Sequence, residues 1–258
     1  MDTKDFDRAQ GHWILAKMGK RVLRPGGREL TQKLINGLDI NSKDDIAEFA
    51  PGMGFTAQLA LNNHPKSYVG IDEDKDVVGL LRHKLKGKNI TFIQGNASKT
   101  HLAENSKDKI YGEAMLTMHA DHRKAEIIKE AHRVLKKGGL YAIHELGLTP
   151  NNLSEDKKAE IQKDLAMAIR VNARPLTESE WTTLLENEGF RVKKVEQNSM
   201  SLLETSRIFQ DEGFFRALKI YFNIFRYKKA RKRITEMSNT FKKYKNNMNA
   251  IAIIAEKI

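Results

Sequence analysis

Between Asp45 and Glu145 the chain alternates short apolar runs with stretches of helical periodicity. The runs Asp45–Ala50, Tyr68–Ile71, Ile90–Gln94, Lys109–Met115 and Leu140–Glu145 predict strands. Thr56–Asn62, Asp74–Leu85 and His122–Leu135 predict the intervening helices, with Val77, Val78, Leu80, Leu81 and Leu85 forming the apolar face of the second. Strands that are apolar throughout and separated by helices indicate an α/β domain whose parallel sheet is covered on both faces. Right-handed crossovers then bring the strand C-termini to one edge, where such sheets bind ligands.

The flanks follow other patterns. The first thirty residues predict helix, interrupted at Arg24-Pro25-Gly26-Gly27 and resuming from Arg28 to Leu38. Beyond Thr149-Pro150, Leu153–Val171 and Glu178–Glu188 predict charged helices, Phe190–Val195 a strand, Ser206–Tyr244 one or two helices, and Met248–Ala255 a last strand. Phe214, Leu218, Tyr221, Phe222 and Phe225 recur at helical spacing, and this stripe is expected to face the core or a pocket.

Charge sharpens the picture of that segment. The 258 residues carry a formal charge of +12, and between Phe214 and Lys245 eleven bases face the single acid Glu236. The imbalance belongs to one segment and leaves open a nucleic acid or an anionic membrane surface as its partner. There is no cysteine, which excludes disulfides, thiolate metal sites and cysteine nucleophiles. No run approaches the roughly 18 apolar residues of a membrane span, and Met1–Trp13 lacks a signal-peptide core. A cytoplasmic location is expected. The order of oligomer is not legible.

The informative stretch is Glu48-Phe49-Ala50-Pro51-Gly52-Met53-Gly54, which leaves a strand and opens a helix. Gly52 and Gly54 allow a tight turn and close backbone approach to a ligand. Asp72 ends the next strand and can accept both ribose hydroxyls. Taken alone, the glycines and Asp72 also fit a dinucleotide site. Three features favour a sulfonium nucleoside instead. Glu48 would repel a pyrophosphate but suits the cationic amino group of a methionine moiety. Asn96, in Gln94-Gly95-Asn96-Ala97 after the third strand, can meet an adenine edge. Leu135-Lys136-Lys137-Gly138-Gly139 leads from helix into the fifth strand.

In this order and spacing EFAPGMG, YVGIDED, FIQGNA and LKKGG resemble the motifs of class I S-adenosylmethionine-dependent methyltransferases of the small-molecule type. Ala50 and Pro51 stand where that family often has Gly and Cys, and Asn96 where it often has Asp. The resemblance implies a doubly wound, Rossmann-like, seven-stranded sheet whose antiparallel last strand inserts between the fifth and sixth. It implies S-adenosylmethionine as cofactor, held by Glu48, Ala50, Pro51, Gly52, Gly54, Asp72, Glu73, Asn96, Ala97 and Glu113. It divides a single domain into N-terminal helices (1–40), a cofactor-binding core (41–200) with a helical cap (151–175), a basic helical insertion (201–247) and the last strand (248–258).

A general base is needed only if the acceptor must lose a proton. The candidates at the strand C-termini are Glu113, His119, His144 and Glu145. Adjacent residues of a strand point to opposite faces, so His144 and Glu145 cannot both face one pocket. The pair His119 and His122 lacks a third metal ligand, and no metal is expected. The expected reaction is methyl transfer to a small-molecule O, N or C acceptor. The alternatives are an RNA methyltransferase that uses the basic segment, and a module that holds the cofactor without chemistry.

Overall fold

The structure, a computed structural model, describes residues 6–258. Its elements are α1 (Gly11–Met18), α2 (Gly27–Leu38), β1 (Asp45–Phe49), α3 (Phe55–Leu61), β2 (Ser67–Asp72), α4 (Lys75–Lys84), β3 (Ile90–Gln94), β4 (Lys107–Glu113), α5 (Asp121–Val134), β5 (Leu135–Leu148), α6 (Glu155–Ile169), β6 (Leu176–Thr177), α7 (Glu178–Asn187), β7 (Phe190–Ser199), α8 (Thr205–Glu212), α9 (Phe214–Arg226), α10 (Lys228–Lys243) and β8 (Met248–Lys257).

The strands form one sheet in the order β3-β2-β1-β4-β5-β8-β7, with the two-residue β6 paired to the end of β5. All neighbours are parallel except β8, which runs antiparallel to both β5 and β7. The last strand therefore inserts between Phe190–Ser199 and the fifth strand, as the resemblance to class I methyltransferases implies. The short β6 is the strand the sequence pattern does not show.

Alternation within the strands builds a core on each face. Ala47, Phe49, Ile71, Ile110, Ile143, Ile251 and Ile253 pack with α5 and with Trp181 of α7. Ile46, Tyr68, Phe92, Tyr111, Ala142 and Ile254 pack with α2, α3 and α4. A third cluster caps the C-terminal end of β5 and joins α1, α6, α8, α9 and α10 through Ile14, Leu15, Met18, Leu165, Ile208, Ile220, Met237 and Phe241.

The flanks differ from the sequence pattern in two places. The N-terminal helix stops at Met18, because Gly19 takes a left-handed conformation with φ of 105° and its N–H caps Ala16 and Leu15. Residues 20–26 then cross the sheet edge without helical structure. The stretch Ser206–Tyr244 forms three helices, broken at Gly213 and at Tyr227, whose backbone is extended.

Candidate active site

The loop after β1 turns through left-handed backbone at Ala50, Gly52 and Gly54, with φ of 54°, 51° and 74°. The last two glycines serve different needs. A Cβ on Gly54 would stand 2.5 Å from Leu81 Cδ2, so this glycine lets the loop close on α4. A Cβ on Gly52 would meet nothing nearer than 4.0 Å, so the space beside it is open to a ligand. Ala50 takes up its turn without glycine, and its N–H donates to the Ile71 carbonyl at 2.8 Å.

Asp72, at the end of β2, borders that open space. Its Oδ2 accepts from Gly52 N at 3.1 Å and its Oδ1 from Asp74 N at 3.0 Å. Each oxygen keeps a further lone pair. Burial pushes this carboxyl up, against the two backbone bonds. Beside it Asn96 Nδ2 donates to Glu73 Oε1 at 2.6 Å, and Asn96 Oδ1 accepts from Ser98 N and Oγ. Asn96 therefore ties the β2 and β3 loops together, and its second amide N–H has no acceptor among the described residues. His119 lies near enough to feel the charge of Glu73, and burial lowers its pKa. Ala97 is buried against the β1 and β2 face of the core.

Glu48 lies beneath the loop. Its Oε2 accepts from Tyr68 Oη at 2.6 Å and Tyr111 Oη at 2.8 Å. Among the described residues Oε1 has no donor, yet it is not fully enclosed. Burial, opposed by the two tyrosine hydroxyls, pushes this carboxyl up to about 7, and the nearby Glu113 adds to the rise.

Glu113 ends β4 at the centre of a buried polar cluster. Oε1 accepts from Thr31 Oγ1 and His144 Nδ1, both at 2.7 Å. Oε2 accepts from Thr56 Oγ1 and pairs with Arg24 Nη1 at 3.0 Å. Burial alone would raise this carboxyl, but Arg24 and then His144 outweigh it and hold the pKa at about 2. His144 Nε2 meets the Pro25 carbonyl at 2.6 Å, so both ring nitrogens are engaged. The Arg24 guanidinium also lies over the Phe55 ring, 5.1 Å from its centroid. The Arg24 side chain is thus largely enclosed, 12% exposed, in its ion pair with Glu113. It links the 20–26 segment to the first turn of α3.

Glu145 points to the other face, as strand alternation requires. Its oxygens accept from the backbone N–H groups of Met115, Leu116 and Thr117 at 2.8–3.0 Å and from Thr117 Oγ1 at 2.7 Å. These four bonds occupy its acceptor positions, and burial, opposed by them, pushes the carboxyl up. His122 is exposed at the start of α5.

Beyond Ala114 an apolar cavity of about 90 Å³ lies between α1, α6, α10 and the ends of β4 and β5. Leu15, Leu165, Ala173, Met200, Met237 and Phe241 form most of its wall. Glu145 reaches the cavity, whereas Glu113, His119 and His144 do not line it. His12 lines it as well, a residue the sequence pattern does not single out. Its ring makes no hydrogen bond among the described residues, and burial lowers its pKa. The available signal was its place among apolar residues of a helix whose one other polar side chain is Lys17, between Gly11 and the buried Ile14 and Leu15.

A sheet of this order, with a glycine loop after β1 and acids ending β2 and β4, is the class I methyltransferase architecture. Residues 46–139 match the family model described as a methyltransferase domain. An uncharacterized protein of Haemophilus influenzae is 30% identical over 251 residues, covering 96% of this chain and 98% of that one. The chain belongs to the class I S-adenosylmethionine-dependent methyltransferases, and S-adenosylmethionine is its cofactor. Ribosomal RNA small subunit methyltransferase A of Hydrogenobaculum is 28% identical over 105 residues, 41% of each chain. The fold also matches phosphoethanolamine N-methyltransferase 2 of Haemonchus contortus, solved with phosphomonomethylethanolamine and S-adenosylhomocysteine. That match has a TM-score of 0.67 at 19% identity and covers 100% of this chain and 60% of that one.

The open space at Gly52, the spare lone pairs of Asp72 and the unpaired Glu48 Oε1 fit the cofactor's ribose and amino group. If Glu48 meets that ammonium group, cofactor affinity should rise with pH. Below about 7 Glu48 is mostly protonated and offers no charge. S-adenosylhomocysteine should bind about tenfold tighter at pH 8 than at pH 6, since below the pKa the ionised fraction, and with it the affinity, falls about tenfold for each unit of pH. Glu48→Gln should flatten the dependence. Titration calorimetry on both proteins is the check, and a flat wild-type profile would show that Glu48 does not touch the ligand.

Proposed function

We propose that this methyltransferase acts on a small, largely apolar acceptor whose reacting atom enters the cavity beside Ala114. The observation that carries this reading is the cavity itself, enclosed by Leu15, Leu165, Met237 and Phe241 at the C-terminal ends of β4 and β5. Such a pocket aligns a small molecule and excludes water. The exposed bases of α10, among them Lys228, Lys229, Arg231 and Lys232, lie on the opposite face from Met237 and Phe241. A polynucleotide held by them would not be held at the cavity.

S-adenosylmethionine supplies a methyl group already activated by its sulfonium. Asp72, Gly52 and Glu48 would hold the nucleoside and amino ends, with Glu73 and Asn96 at the adenine side. The segment carrying Arg24 and Pro25, fastened to Glu113 and His144, covers the methionine end. Most of the rate then comes from orientation in a dry pocket. Where the acceptor must lose a proton, His12 is the group placed to take it. Its lowered pKa keeps the ring neutral at physiological pH.

Turnover of labelled cofactor against metabolite fractions and against total RNA tests the acceptor class. Transfer into small apolar acceptors and none into RNA is expected; the reverse would sink this reading. His12→Ala should lower kcat by about 10²–10⁴-fold for an acceptor that must be deprotonated, with S-adenosylhomocysteine affinity unchanged. An unaltered kcat would leave alignment as the whole of catalysis.

A further inference from the structure

Of the aromatic stripe predicted to face the core or a pocket, only Tyr221 packs against the core, while Phe214, Leu218, Phe222 and Phe225 face outward. Helix α9 buries Ala217 and Ile220 against the protein, and Asn223 Nδ2 fixes it to the Met18 carbonyl at 2.9 Å. Its other side is bare. Phe214, Phe215, Leu218, Phe222 and Phe225 are 48–86% exposed and make up half of the ten large hydrophobic side chains exposed among the described residues. At 100° per residue these five fall on one continuous arc of the helix, with Lys219 and Arg226 along one border.

The charge around this arc is one-sided. Lys219, Arg226, Lys228, Arg231 and Lys232 form no ion pair among the described residues. Arg231 instead lies over the Phe225 ring, 5.7 Å from its centroid, at the rim of the apolar face. An arc of phenylalanines bordered by unpaired bases is the make-up of a helix that lies flat in a lipid interface. The described helices include none long and apolar enough to cross a membrane, so the contact would be peripheral.

We propose that α9 is an in-plane docking helix for an anionic lipid bilayer. Phe214, Phe215, Leu218, Phe222 and Phe225 enter the headgroup–acyl boundary, while the bases of α9 and the start of α10 meet lipid phosphates. Charge selects this occupant over a second copy of the chain, because a two-fold contact through the same face would bring the unpaired bases together. It also selects lipid over RNA, because phosphates would meet only the border and leave the large apolar centre in water.

Flotation of the full-length protein with vesicles tests the proposal. Vesicles of phosphatidylcholine containing one third phosphatidylglycerol should carry the wild type, and pure phosphatidylcholine about tenfold less. Phe222→Asp/Phe225→Asp changes only exposed side chains. It should keep S-adenosylhomocysteine affinity while losing about tenfold or more of the vesicle binding. Lys228→Glu/Lys232→Glu should lose binding to the anionic vesicles in the same assay. Failure of the wild type to float with anionic vesicles overturns the proposal, as does flotation of either double variant at the wild-type level. A wild-type dimer that Phe222→Asp/Phe225→Asp dissociates, seen by light scattering, would make this face an interface between copies and overturn it as well.

Discussion

A chain ending before Met248 should fail to fold. Strand β8 is hydrogen-bonded on both sides, to β5 from Leu148↔Met248 to Leu140↔Glu256 and to β7 from Ser199↔Asn249 to Phe190↔Lys257. It feeds both faces of the sheet: Ile251, Ile253 and Ala255 enter one core, and Ala250, Ala252 and Ile254 the other. Burying Met248, Ile251, Ile253 and Ile254 contributes about 8 kcal/mol at roughly 2 kcal/mol for each side chain. That is comparable to the whole stability of a domain of this kind, about 5–15 kcal/mol. Without β8 the β7 strand also loses its only partner strand among the described residues. Circular dichroism and thermal scans of the truncated chain should show no cooperative transition, and S-adenosylhomocysteine should not bind. A cooperative melt with retained binding would show that β5 closes the sheet unaided.

Local pattern sufficed for this strand because its information is local. Met248–Ala255 is apolar at every position but one, which marks a strand buried on both faces, while its place between the fifth and sixth predicted strands follows from the family resemblance. The same holds for β1 to β5 and for the loop at Gly52 and Gly54. Periodicity fails where the question is what covers a face. Helix α9 has two apolar sides, one of Ala217, Ile220 and Ile224 and one of phenylalanines. Its sequence does not say which side meets the protein; the structure buries the smaller residues and leaves the phenylalanines out. Partners distant along the chain are equally hidden. Nothing near Arg24 announces Glu113, and nothing near Glu145 announces the N–H groups of residues 115–117. His12 enters the cavity wall only because α6 and α10 close over α1. Catalytic candidates chosen by their place at strand ends therefore included two, Glu113 and His144, that hold each other.

Replacing Glu113 by Gln should cost stability and cofactor affinity together. The carboxylate accepts from Thr31, Thr56 and His144 and pairs with Arg24, so both oxygens face donors. A Gln amide must turn its NH₂ toward one of those pairs, and it also leaves Arg24 uncompensated. Its side chain is 5% exposed, which limits screening by water. The folded-state pKa of about 2 lies below the usual 4.5, so the ionised form is favoured by folding. The contribution is then present above about pH 4.5 and is lost as pH falls through about 2, and it amounts to about 3 kcal/mol. Breaking a buried pair from one side costs a similar amount. For a chain of this length the midpoint of thermal unfolding at pH 7 should fall by roughly 6–12 °C. The difference between Glu113→Gln and wild type should shrink as the pH is lowered toward 2. Because Arg24, Pro25 and Thr56 all depend on this cluster, the segment over the methionine end should loosen, and S-adenosylhomocysteine should bind less tightly. A midpoint within a degree or two of wild type at pH 7 would mean that the cluster is not held by the Glu113 charge.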